Sequence, residues 1–163
     1  MISELLNRMA GAVPTEWAAE TDFERTGAHV KVVLKPDQLE ALARFLQADG
    51  FALTCLSGVD FSTGTDLVYH LNRHDKLLRV AVHLPLERGQ AVRTVADIFE
   101  SANWFEREVW EMYGVEFEGH PNLTWLLLPE GADYHPLRKD FGKVGGVSDG
   151  PADIGLIPKE AGR

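Results

Sequence analysis

The sequence is poor in the features that usually announce chemistry. One cysteine, Cys55, stands in 163 residues, so no disulfide can form within the chain and no cluster of thiolates can ligate a metal. That usage fits reducing surroundings. No glycine-rich loop of the GxGxxG or GxxxxGK[ST] type occurs, so no backbone cradle for nucleotide phosphates is expected. Apolar runs such as Trp125-Leu126-Leu127-Leu128 fall far short of the ~18 residues a transmembrane helix needs. No basic region followed by a long apolar stretch opens the chain, so no secretory signal is expected. Basic residues are outnumbered, with 16 Lys and Arg against 25 Asp and Glu, a net charge of −9. So acidic a chain repels phosphate backbones, and no basic patch offsets this, so a nucleic-acid partner is not expected.

What is present is ordinary globular composition, 45% hydrophobic and 25% charged, enough to bury a core without disulfides or metals. Ile2, Leu5, Leu6 and Met9 form one helical face. Residues 14–21, centred on Trp17, and 28–34, where Ala28, Val30, Val32 and Leu34 alternate, read as strands. Pro36 is expected to open a helix whose stripe is Leu39, Leu42, Ala43 and Leu46, ending at Gly50.

Three strands come next, at 51–56, 66–71 and 77–84. The first carries Cys55 toward the core, the last two form a hairpin over Asn72 to Asp75, and Pro85 is expected to end the third. A short helix over 94–99 and a longer one over 103–113 complete the pattern. Asn103 is expected to cap the longer helix, with Glu106 completing a capping-box-like pair, and Gly114 to stop it. The order predicts an α+β fold: a mixed, largely antiparallel sheet with helices packed on one face. One domain is expected over 1–141. Residues 142–163, rich in glycine and proline, are expected to form an extended C-terminal arm that orders on a partner through Ile154, Leu156, Ile157 and Pro158.

A search for a catalytic or metal site returns little. His70 and His74 are four apart but on strand and turn, where that spacing does not put two ligands on one face. His29 and His83 fall on the solvent faces of strands. Cys55 has no neighbouring histidine or acid to activate it. Glu106, Glu108 and Glu111 share one helix, but a di-metal carboxylate centre also needs Glu-x-x-His pairs on facing helices, and none occurs. By chemistry alone Glu106-Arg107-Glu108 reads as a solvated or ion-paired helix face. Arg107 and Glu111 read as an i, i+4 pair worth ~0.2–0.5 kcal/mol.

One stretch is too dense in unusual residues to be generic. It runs ERExxE from Glu106 to Glu111, then Met112-Tyr113, Gly119-His120-Pro121, and His135-Pro136-Leu137-Arg138-Lys139-Asp140-Phe141. Ser101-Ala102-Asn103-Trp104 leads into it. Over 101–141 it resembles the signature of the 30-kDa subunit family of respiratory complex I, known in bacteria as the C subunit of the NADH–quinone oxidoreductase.

The resemblance implies a peripheral-arm subunit without an active site. It implies that FMN and iron–sulfur clusters sit in partner subunits and that this chain binds none. It implies contact with the 49-kDa-like large subunit and the cluster-bearing small subunit, on the cytoplasmic side of a prokaryotic plasma membrane. Glu106, Arg107, Glu108, Glu111, His120, Pro121, His135, Pro136, Arg138, Lys139 and Asp140 become signature and interface positions, with Arg138-Lys139 as a docking point. Thr124 departs from the pattern, since the family usually carries a basic residue there. That departure and the chain's shortness keep open an equivalent subunit of a membrane-bound energy-converting hydrogenase or related dehydrogenase.

Overall fold

The computed structural model describes residues 1–15 and 17–141. The arm expected from Gly142 onward lies outside the described residues. The elements are α1 (Ile2–Ala12), β1 (Trp17–Glu20), α2 (Phe23–Thr26), β2 (Val30–Val33), α3 (Leu39–Ala48), β3 (Ala52–Asp60), β4 (Gly64–Arg73), β5 (Leu78–Glu87), β6 (Val92–Arg93), α4 (Ala102–Tyr113) and β7 (Phe117–Glu118). Five strands form one sheet in the order β1-β2-β5-β4-β3. Only β2 and β5 run parallel within it. Strands β6 and β7 form a separate two-residue parallel pair.

All three longer helices cover the same face. Leu5 and Met9 of α1, Leu42 and Leu46 of α3, and Val109 of α4 join Val32, Tyr69, Val82 and Leu84 of the sheet in one cluster. The period-3.6 and period-2 patterns converge on one interior, which makes the fold an α+β sandwich with one covered face.

Four local expectations differ from what forms. The first concerns β3, which carries a bulge at Thr54 between Leu53 and Cys55. The extra residue lets Leu53 and Leu56, three apart, both face the core, and it turns Cys55 to the opposite face, beside His70. Strict alternation would have placed Cys55 inside.

The second concerns Pro85, which does not end its strand but pairs with Asp66 inside β5. The carbonyl of His83 accepts from the Leu34 N–H at 3.0 Å, so odd-numbered residues of β5 direct their main-chain groups toward β2. At 85, β2 has already stopped pairing, and the missing proline N–H costs no ladder bond.

Third, Pro36 opens a single 3-10 turn, Pro36–Gln38, and the α-helix starts only at Leu39. Fourth, no helix forms over 94–99. Thr94 N–H bonds the Glu118 carbonyl at 3.0 Å, in line with β6, and a single turn comes after it in which Ile98 and Phe99 N–H both reach the Val95 carbonyl.

Candidate functional site

Helix α4 carries the ERExxE stretch, and its charged residues divide by face. Glu106 is 0% exposed and Glu111 2%, while Glu108 points to solvent. The expected capping box is absent. Ser101 occupies the N-cap and gives its hydroxyl to the Leu53 carbonyl at 2.9 Å. Glu106 instead turns inward and accepts from the Thr94 hydroxyl and from the Val95 N–H at 2.8 Å. Burial pushes its carboxyl up to about 7, against the pull of those two hydrogen bonds. These same bonds hold residues 94 and 95 extended, which explains the missing helix there.

His120 packs beside Glu106, with Nε2 3.8 Å from its carboxylate. The ring nitrogens have separate partners. Nε2 lies 3.1 Å from the Asn103 carbonyl and Nδ1 accepts from the Asn122 N–H at 3.0 Å. That pattern requires a proton on Nε2 and a lone pair on Nδ1, a neutral imidazole. Burial lowers its pKa in the same sense.

Arg107 and Glu111 do not serve as an i, i+4 ion pair. Arg107 donates to the carbonyls of Thr124 at 2.9 Å and Trp125 at 2.8 Å. Glu111 accepts the N–H groups of Leu126, of Leu127 at 2.9 Å, and of Leu128 at 3.4 Å. One turn of helix thus holds five consecutive residues of irregular backbone by its carbonyls at one end and its amides at the other. An unpaired buried backbone group is costly, so these two side chains dictate the path of residues 124–128.

The His-Pro segment completes the arrangement. His135 Nδ1 lies 2.8 Å from the Glu111 carbonyl, and Leu137 N–H reaches the Met112 carbonyl at 3.1 Å. Both acceptors belong to the last turn of α4, whose carbonyls have no partner within the helix. Pro136 sits between the two donors. Gly114 caps the helix at φ +73°, and a Cβ there would meet His135 Nε2 at 2.6 Å. Gly114→Ala is therefore expected to cost about 2 kcal/mol or more, part from the left-handed backbone and part from displacing the ring. Urea titration would read it, and an unchanged midpoint would contradict it.

A third buried carboxylate, Asp60 at the end of β3, ties this segment to the sheet. It accepts from Arg88 at 2.7 Å, from the Thr65 hydroxyl at 3.1 Å and from the Lys139 N–H at 2.9 Å. Burial works to raise its carboxyl, but the Arg88, Lys139 and Thr65 contacts outweigh that and hold it below the usual carboxylate range.

Arg138 is half-buried, with Nε 3.8 Å from Asp140. Lys139 places Nζ over the Phe61 ring at 5.6 Å. Pro121 and Asp140 are exposed.

The structure therefore brings Glu106 and His120 together in one group, and Arg107, Glu111 and His135 in another, each built from α4 and the segment that follows it. Glu108, Pro121 and Asp140 stay at the surface. Sequence reasoning missed Asp60, Arg88 and Thr94. Their only local signal is a polar residue beside a strand end, common to most turns. The solvated or ion-paired reading of Glu106-Arg107-Glu108 holds for Glu108 and fails for Glu106, which is buried. His83, expected toward solvent, is largely covered and lies 2.7 Å from Asp66. Among the described residues no group of three or more His, Cys, Asp or Glu could hold a metal ion, and no helix is long and apolar enough to cross a membrane.

A one-sided α+β sandwich in which α4 braces an irregular outer strap over residues 120–141 defines the class of fold. Comparison with known proteins gives the particular family. The profile described as respiratory-chain NADH dehydrogenase, 30 Kd subunit, matches residues 32–146. The chain belongs to that family.

The C subunit of NADH-quinone oxidoreductase from Rhizobium rhizogenes is 38% identical over 154 residues, covering 90% of this chain and 77% of that protein. The protein of the same name from Rhizobium johnstonii is 42% identical over 118 residues, covering 68% and 59%. Among solved structures, the trypsin-resistant fragment of Nqo5 superposes with a TM-score of 0.60 at 26% identity, over 75% of this chain and 98% of the fragment. A chain in the structure of the membrane-bound sulfane sulfur reductase, an archaeal respiratory membrane complex, shares the fold, with a TM-score of 0.73 at 24% identity over 85% and 84%.

Proposed function

We propose that this chain is a non-catalytic subunit of the peripheral arm of proton-translocating NADH–quinone oxidoreductase. The observation that carries the reading is the use made of the charged signature. Glu106 turns inward to hold the β6 extension, Arg107, Glu111 and His135 hold the strap, and the strap in turn displays Leu127 at 63%, Leu137 at 53% and Phe141 at 48% exposure. Large apolar side chains held outward by a rigid scaffold suit a protein partner. On this reading the partners are the 49-kDa-like large subunit and the cluster-bearing small subunit. Electrons pass from NADH through FMN and iron–sulfur centres in neighbouring subunits of the complex to quinone. This chain fixes the register between them, and it meets the membrane through the complex, on the cytoplasmic side of a prokaryotic plasma membrane.

The test is an affinity pull-down of the tagged chain from detergent-solubilised native membranes, with mass spectrometry of the proteins that co-purify. Flavin- and NADH-binding subunits alongside the large subunit are the expected result. A nickel–iron large subunit without them would assign the chain to an energy-converting hydrogenase or related dehydrogenase instead.

The same preparation tests Arg138 and Lys139. Their double alanine variant keeps the Lys139 main-chain N–H on Asp60, so the isolated chain's stability should move by no more than about 0.5 kcal/mol. Recovery in the complex should fall several-fold. Unchanged recovery would remove these two side chains from the interface.

A further inference from the structure

The sheet has one free edge that faces a groove. Strand β3 is terminal in the five-stranded sheet, and the hydrogen-bond phase shows which of its residues are unpaired. Odd residues of β5 address β2, as the Leu34–His83 bond shows, so Val80, Val82 and Leu84 address Leu71, Tyr69 and Leu67 of β4. Val68 and His70 of β4 must then address β3. The Thr54 hydroxyl on the His70 carbonyl at 3.0 Å agrees with this. Their partners Ser57 and Cys55 are thereby used. Leu56 and Gly58 lie between, so their N–H and C=O groups project away from the sheet. Leu53 lies on the same side, and its carbonyl already takes the Ser101 hydroxyl. Among the described residues, no hydrogen bond from outside the sheet reaches the main chain of Leu56 or Gly58.

These two residues border a groove of about 380 Å³ between β3 and α4, walled by Phe105, Val109, Tyr113 and Leu137. Sheet edges are usually blunted. The Thr54 bulge does that for the first half of β3, and the regular second half is left open. Two residues offering a donor and an acceptor each, in phase and two positions apart, match the repeat of another strand and not the outline of a small molecule. The Gly58 backbone lies close under the Tyr113 ring, where a Cβ would meet the ring at 2.6 Å. Among the described residues, the one charged side chain lining the groove is Glu108, which is exposed. The Tyr113 hydroxyl lies in the field of Asp60 and Glu108; burial, and then these two charges, raise its pKa.

We infer that the β3 edge from Leu56 to Gly58 is closed in the assembled complex by an extended segment of a neighbouring subunit, which places an apolar side chain against Tyr113 and Leu137 and a lysine or arginine against Glu108. The inference rests on the subunit role proposed above. It adds which edge is used, by strand addition, and the chemistry of what docks there. The opposite edge, β1, has four residues.

Hydrogen exchange of the full chain, alone and within the purified membrane complex, tests it. In the isolated chain the Leu56 and Gly58 amides should exchange readily while those of Cys55 and Ser57 stay protected. In the complex the first pair should slow at least tenfold. Glu108→Lys should cut recovery in the complex at least fivefold without shifting the isolated chain's melting temperature.

Slow exchange at Leu56 and Gly58 already in the isolated chain would mean that the chain itself or a second copy closes the edge, and would overturn the inference. So would fast exchange in a complex that contains the chain, which would leave the subunit role intact. Failure of the chain to join any complex would overturn both.

Discussion

Glu106→Gln is expected to make the protein more stable above neutral pH. In the folded chain the Glu106 carboxyl sits at about 7, against an ordinary value of 4.5. The folded state therefore binds this proton more tightly than the unfolded state does. The resulting contribution is fully present below about 4.5 and is lost as pH rises toward 7. Two and a half pKa units correspond to about 3 kcal/mol.

A glutamine keeps the shape of the side chain. Its oxygen can accept from the Val95 N–H, and its amide can donate to the Thr94 hydroxyl. It carries no charge to desolvate. Near pH 4.5 variant and parent should be equally stable, and near pH 8 the variant should be more stable by about 2–3 kcal/mol. Urea titrations at the two pH values would measure it. Parallel stability curves for the two proteins would show that Glu106 does not carry this linkage.

The same substitution five residues later should act in the opposite direction. Glu111 accepts three successive backbone N–H groups with its two oxygens. In Glu111→Gln one oxygen becomes an NH₂ group facing amide donors, and at least one N–H loses its acceptor. Breaking a buried, charge-assisted set of this kind costs about 2–4 kcal/mol. The loss should concentrate in the strap. Amides of Leu126 to Leu128 should lose exchange protection before those of β4, and recovery in the membrane complex should fall with them. A variant with unchanged midpoint and unchanged protection at those amides would show that the strap stands without this clamp. Two glutamates on one helix, altered identically, thus separate a carboxyl pushed up to about 7 by burial from one whose two oxygens clamp three backbone N–H groups.

Much of the framework is legible along the chain because it depends on periodicity. Val80, Val82 and Leu84 alternate, Leu39, Leu42, Ala43 and Leu46 repeat at helical spacing, and each set faces the core. The density of the stretch from Glu106 to Phe141 likewise marks the family and the place to look. These are local properties, written in consecutive residues.

What α4's charges do was not legible, because their partners lie far away in sequence. Glu106 and Glu108, two residues apart, lie roughly 200° apart around the helix, and Glu106 falls in the buried row of Ala102 and Val109. What the spacing does not show is that the β6 extension, carrying Thr94 and Val95, supplies that buried carboxyl with its partners. Arg107 and Glu111 have the spacing of an ion pair, yet the backbone of residues 124–128 takes both. Asp60 becomes a junction only once Arg88 and Lys139 arrive beside it.

The bulge at Thr54 obeys the same logic. A one-residue slip is invisible to alternation but reverses the side of Cys55, and it decides where the β3 edge is regular. Short-range spacing thus set the elements and the family of this protein. Which charges are buried, which backbone they hold and which edge stays open were decided by long-range contacts, since desolvation and hydrogen bonding depend on what the folded chain brings near, not on the neighbours in sequence.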